Sequence, residues 1–137
     1  TPEMMQAAPS YGFAPVEIYD FLEDRIEAAL AAGIPRERIA VDPGFGFGKT
    51  VQHNLALVNF AAMFHGLGVP VLIGVSRKSS IAAMSSGEDS DNRLAGSLGL
   101  AMATVVQGCQ LLRVHDVAET RQALAIQTAL AGGADAG

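Results

Sequence analysis

Three short apolar runs, at residues 39–41, 69–75 and 110–114, constrain the fold more than any other feature of the chain. Each is rich in Val, Ile and Leu, and none alternates polar with apolar. Such strands are covered on both faces, as in a parallel sheet. Each run also ends in polar residues. Asp42 follows the first, Ser76-Arg77-Lys78-Ser79 the second, and Arg113-Val114-His115-Asp116 closes the third. The unit recurs about every 35 residues, the length of a β/α repeat.

Helical patterns lie around the strands. The first is predicted over 15–32. Pro15 suits a first turn, Ile18, Leu22, Ile26 and Leu30 form one stripe, and Gly33 before Pro35 stops it. Others are predicted over 53–65, 91–107 and 117–131. In the third of the four, Gly96, Ser97 and Gly99 would allow close backbone packing. Asp116 and Glu119 have the spacing of a capping box for the last. Residues 1–131 are read as one folded unit and 132–137 as a flexible tail.

Polar residues gathered at strand C-terminal ends are the signature of a TIM-barrel rim. A doubly wound sheet binds ligands only where strand order switches. With three successive polar strand ends, the barrel is the better reading. A full barrel needs eight units and roughly 250 residues. This chain has 137 residues and supplies three strands and four main helices. It is therefore read as the C-terminal half of a (β/α)8 barrel, an α/β fold, with two strand edges left open.

Composition removes several function classes. A net charge of −5 argues against a nucleic-acid binder, which favours a basic face. No run is long and apolar enough to span a membrane. A single cysteine, Cys109, gives no disulfide framework and fits a reducing, cytoplasmic setting. No His, Cys, Asp or Glu group has metal-ligand spacing.

The first strand runs into Asp42-Pro43-Gly44-Phe45-Gly46-Phe47-Gly48-Lys49. A carboxylate at a strand end and glycines that let backbone approach a ligand suit a binding loop. Phe45 and Phe47 are expected in that loop and not in the core. It is not a P-loop, because Pro43 stands where the first glycine is needed. It is not a dinucleotide fingerprint either, because Lys49 replaces the last glycine.

Ser76-Arg77-Lys78-Ser79 offers cations and hydroxyls for an anion, a carbonyl or a ring nitrogen. Arg113 and His115, two residues apart, share one side of a strand and suit a phosphate or diphosphate. Asp116 reads as a helix N-cap. His53 and His65 read as caps or surface residues.

Taken together, these motifs resemble the dihydropteroate synthase family. The matching elements are Asp42 to Lys49, His53-Asn54, Ser76-Arg77-Lys78-Ser79, and Arg113-Val114-His115-Asp116-Val117 with Glu119-Thr120. They cover about residues 4–130, in the family's order and spacing. Pro2-Glu3-Met4-Met5-Gln6 looks like the segment after the family's fifth strand. The resemblance implies a folate-biosynthesis transferase that joins p-aminobenzoate to 6-hydroxymethyl-7,8-dihydropterin diphosphate and releases diphosphate. It implies that Asp42 accepts hydrogen bonds from the pterin's amino-pyrimidine edge and that Lys78 donates to its carbonyl and ring nitrogen. Gly46 and Gly74 would line the pterin slot. Phe47 and Ser79 would border the p-aminobenzoate site. Arg113 and His115, helped by Arg77, would hold the diphosphate. The family's Mg²⁺ would be bound by the absent N-terminal half, so this piece alone is expected to be inactive. A homodimer through the C-terminal helices is also implied.

Three other readings compete. A Schiff-base aldolase-type barrel would use Lys78 as nucleophile, but leaves the Gly-Phe loop without a purpose, and borohydride trapping would reveal it. A pterin-binding methyltransferase shares the pocket but lacks the Ser76–Ser79 and Arg113–Asp116 motifs. A non-catalytic half-barrel would bind pterin without turnover.

Overall fold

The computed structural model describes residues 14–46 and 50–133. Phe47, the opening segment Pro2-Glu3-Met4-Met5-Gln6 and residues 134–137 lie outside the described residues.

Helix α1 (Ala14–Ala31) carries the expected stripe, with Ile18, Leu22 and Ile26 buried and Leu30 packed against them. Gly33 ends it in a left-handed turn, φ 95°, with its N–H on Leu30 O and the Ile34 N–H on Ala29 O, both 3.0 Å. This pair of bonds satisfies carbonyls that a helix end leaves open.

The three apolar runs form parallel segments in sequential order, but less of each pairs than predicted. The first run contributes only a bridge from Val41 to Val71. The second contains strand β1 (Leu72–Ile73) and the third strand β2 (Leu111–Leu112), paired Leu72 to Leu111 and Ile73 to Leu112. In the middle segment one face is fully covered, with Val69, Val71, Ile73 and Val75 buried, while Pro70 is exposed and Leu72 half-buried on the other. Cover is poorer at the flanks: Ala40 is exposed and Leu111 is 42% exposed, and among the described residues each flank has a strand neighbour on one side only. Strand order follows chain order with no switch, as in a barrel wall.

The helix predicted over 53–65 breaks in two. Helix α2 (Val51–Asn59) starts on Thr50, whose hydroxyl accepts from the His53 N–H while the His53 ring answers the Thr50 N–H. A 3-10 helix, Ala61–Leu67, then follows Phe60 and ends at Gly68, φ 75°. A short helix, α3 (Ser79–Met84), has no counterpart among the predicted helices. The helix predicted over 91–107 begins later, as α4 (Leu94–Val106), after a 3-10 turn at Ser90–Asn92. Helix α5 (Val117–Gly133) runs into the segment read as tail.

Of the small residues in α4, Gly96 permits close packing, since a Cβ there would lie 2.3 Å from Ile81 Cγ2. Gly99 has open space around it, so its predicted packing role is absent. The expectation for Phe45 is also corrected. Its ring is 3% exposed and belongs to the core with Phe64, Val41 and Val71. Gly44 and Gly46, at φ 77° and 87°, turn the chain on both sides of it and drive the ring inward. Cys109 is buried and free, and burial pushes its thiol pKa up, which keeps it unreactive. Among the described residues no helix is long and apolar enough to cross a membrane.

Candidate active site

The three strand ends meet at one edge of the sheet. Asp42 follows the Val41 bridge, accepts the Gly44 N–H at 2.9 Å, and stands 3.9 Å from the Arg113 guanidinium. Both groups are partly exposed, so the contact aligns them and adds little stability. Gly74 follows β1 directly. A Cβ there would lie 2.8 Å from Arg113 Nη2, so the missing side chain is what lets the guanidinium lie over the strand end. A Cβ on Gly46 would reach Lys78 Cδ at 3.4 Å, which puts the first loop beside the Lys78 side chain.

The second and third strand ends are joined twice. Ser76 Oγ lies 2.8 Å from His115 Nδ1 and accepts the His115 backbone N–H at 3.2 Å. One residue further on each strand, Arg77 donates to both carboxylate oxygens of Asp116, at 2.8 and 3.3 Å. A bidentate pair of this kind is stronger and more directional than a single contact. It holds the Asp116 carboxyl below the usual carboxylate range and raises the Arg77 pKa.

Arg77 has φ 56°, the one non-glycine residue at positive φ among those described. Helix α4 and the turn before it hold it there. The Arg77 N–H reaches Ser97 Oγ at 2.9 Å, and Arg93 Nη1 reaches the Arg77 carbonyl at 3.0 Å. Ser97 in turn donates to the Arg93 carbonyl. Left-handed backbone costs a side-chain-bearing residue on the order of 1 kcal/mol or more, and persists where neighbours over-determine it.

The result is a cleft of about 490 Å³ lined by Gly74, Ser76, Arg77, Lys78, Ser90, Arg113, Val114 and His115. Besides Val114 and the His115 imidazole, its side chains are cationic or hydroxyl-bearing, in a chain of net charge −5. The local field therefore favours an anion where the global charge does not. Asp42 stands at its margin as a carboxylate acceptor for N–H groups of a ligand.

Of the residues singled out by sequence, the structure brings Gly74, Arg77, Lys78, Arg113 and His115 into one cleft, with Asp42 and Gly46 against them. Ser79 is exposed at the start of α3 and does not line the cleft. Asp116 keeps part of its predicted cap role, since its carbonyl accepts the Thr120 N–H. Its carboxylate, however, is turned to Arg77 and not to the helix N–H groups. His53 is a cap, as read, while His65 ties its helix to the Gln107 carbonyl at 2.8 Å.

Sequence reading assigned no individual role to Ser76, Arg93 or Asn54, and gave Ser97 only a part in close helix packing. Asn54 is 1% exposed, accepts the Gly46 N–H at 2.8 Å and donates to Ser80 Oγ at 2.8 Å. It thus ties the glycine loop to α3. Its helical spacing from Leu57 and Val58 was the available signal, since it puts an amide on the buried face of α2, where it must find partners. Among the described residues no three His, Cys, Asp or Glu side chains form a metal-binding group.

Known proteins are similar to this chain in sequence and fold. Dihydropteroate synthase of Escherichia coli K12 is 41% identical over 125 residues, covering 91% of this chain and 44% of that protein. The Thermus thermophilus dihydropteroate synthase, solved with 4-aminobenzoate, superposes with a TM-score of 0.88 at 43% identity, over 95% of this chain and 52% of that one. The Xanthomonas albilineans enzyme, solved with 7,8-dihydropteroate, gives 0.87 at 44% identity, over 90% and 47%. The chain thus spans about half the length of the relatives it matches, and its fold is half of their (β/α)8 barrel. The family model described as pterin binding enzyme matches residues 1–115, and the chain belongs to that family.

Proposed function

We propose that this chain forms the diphosphate-binding and much of the pterin-binding half of a dihydropteroate synthase. The reaction joins p-aminobenzoate to 6-hydroxymethyl-7,8-dihydropterin diphosphate in folate biosynthesis. The observation that carries the reading is the cationic cleft at three strand ends, with Asp42 beside Arg113, in a chain 41% identical to a dihydropteroate synthase.

In this reading Asp42 accepts from the amino-pyrimidine edge of the pterin, and Lys78 donates to its carbonyl and ring nitrogen. Gly74 and Gly46 leave room for the flat ring. Arg113 and His115 hold the diphosphate, with Arg77 nearby. Diphosphate departs carrying negative charge while the pterin methylene becomes cationic. Donors already fixed around the departing oxygens stabilise that charge without reorganising. The p-aminobenzoate amine attacks the methylene carbon, loses a proton, and needs alignment more than activation. Phe47 and Ser79 are assigned to its site through the family motif. No step is assigned to Mg²⁺. The setting is cytoplasmic, with no nucleic-acid or membrane partner, and α5 is the candidate contact for a homodimer.

The test is complementation. Co-expression with the N-terminal half of the Escherichia coli enzyme is expected to restore dihydropteroate formation. Lys78→Ala and Arg113→Ala in this chain are each expected to abolish it. A soluble, assembled pair without activity would instead favour a binding remnant.

A further inference from the structure

We propose that Ser76 is a positioning residue that fixes the ring and tautomer of His115, so that His115 presents an Nε2–H donor to the anion in the cleft. The inference rests on the reading of that anion as a diphosphate.

The hydrogen-bond inventory around Ser76 leads there. Its hydroxyl has one proton and two lone pairs. One lone pair takes the His115 backbone N–H at 3.2 Å. The 2.8 Å contact to Nδ1 can then run either way. If Nδ1 carried the proton, Ser76 would accept twice and its own proton would need another acceptor. Ser76 is 7% exposed, and its described side-chain bonds are those two. If Ser76 donates to Nδ1, every group is satisfied. A neutral His115 then carries its proton on Nε2. The ring lines the cleft beside Arg113, and no hydrogen bond is described for Nε2. The same two bonds close a small ring from the Ser76 hydroxyl to both the backbone and the side chain of His115. That ring leaves the imidazole little freedom about χ1 and χ2.

Two flanking features stiffen the device. Arg77, the next residue, is clamped to Asp116, the residue after His115. The Arg77 backbone is held by Ser97 and Arg93. The serine therefore cannot drift from the histidine without breaking a second, parallel link.

A double-mutant cycle on the chain tests this, with inorganic pyrophosphate as the probe and calorimetry as the readout. Ser76→Ala is expected to weaken pyrophosphate binding about fivefold, the usual size of one lost hydrogen bond. Ser76→Thr is expected to restore it. On a His115→Ala background, Ser76→Ala is expected to change nothing, because its effect runs through the ring. An equal loss on both backgrounds overturns the proposal in favour of a general structural role. Should Ser76→Ala not fold, long-range ¹H–¹⁵N spectra of the unmutated chain decide: a pyridine-like Nδ1 and a pyrrole-like Nε2 support the proposal, and a protonated Nδ1 in neutral His115 sinks it. If His115→Ala leaves pyrophosphate affinity intact, the diphosphate reading fails, and those spectra still judge the Ser76 contact by itself.

Discussion

Two glycines show how the same substitution divides function from stability. At Gly74 an added methyl meets the end of the Arg113 side chain, at 2.8 Å from Nη2 and 3.1 Å from Nε. The Arg113 side chain is 59% exposed and can swing away. Gly74→Ala is therefore expected to shift the melting temperature little. It is also expected to weaken pyrophosphate binding as strongly as loss of Arg113 does, read by calorimetry beside a thermal melt. At Gly96 the methyl meets Ile81 Cγ2 at 2.3 Å, and Ile81 is buried and has nowhere to go. Gly96→Ala is expected to destabilise by about 1–3 kcal/mol, the usual cost of overpacking, read from the urea midpoint. Gly74 was legible as a site residue because it sits between a strand and a basic motif. The core position of Phe45 was not legible, because its neighbours Gly44 and Gly46 have a loop composition whether the ring between them faces solvent or core. Only the backbone turn decides that, and single-residue patterns do not encode it.

At the scale of elements, the turn after β1 and the turn after β2 behave as one unit through Arg77 and Asp116. The Asp116 carboxyl lies below the usual carboxylate range because Arg77 donates two hydrogen bonds to it. A carboxylate depressed in the folded state adds stability above its unfolded pKa and loses it as pH falls through the folded value. The latch is thus intact at neutral pH and opens only in acid. Comparing the unmutated chain with Asp116→Asn, the stability difference is expected to stay level from about pH 8 to about pH 5 and to shrink below that. Urea unfolding across that range, followed by circular dichroism, measures it. Arg93→Ala removes the support under the Arg77 carbonyl, and releases the Glu88 carbonyl as well. It is expected to lower pyrophosphate affinity without touching the cleft, and to lower it less than Arg113→Ala does. The polar strand ends were visible in sequence because catalytic rims are built there. Their cross-links were not, since Ser76 to His115 and Arg77 to Asp116 each span 39 residues. Helix α3 escaped for a related reason. Six residues give too few turns for a periodic signal, and its Asn54 to Ser80 contact is tertiary.

For the whole molecule, strand order carries the argument. Three parallel segments in chain order could belong to a closed barrel or to an open sheet, and the repeat length alone does not separate them. The absence of a switch in order among the described strands fits the barrel, and the superposition on dihydropteroate synthases settles the fold. The sheet edges then acquire a meaning. Among the described residues, the first run pairs only through Val41 on one side, and on the other Leu111 is 42% exposed beside a flank of β2 with no described strand partner. Helix α5 adds Val117, Ile126 and Leu130 to the exposed apolar surface. Unpaired strand edges with apolar side chains are templates for another chain. Complementary strands from the other half of a barrel would pair with both edges and cover Leu111. Co-assembly with the N-terminal half of the Escherichia coli enzyme is therefore expected to raise the melting temperature of this chain by several degrees. A gain of 1 kcal/mol is worth about 2–8 °C in domains of this size class. Leu111→Lys puts a charge on the edge and is expected to cancel that gain while leaving the helical circular dichroism of the chain alone unchanged. An equal gain in the Leu111→Lys chain would mean that the halves meet through the helices, with α5 and its exposed apolar residues as the surface to mutate next.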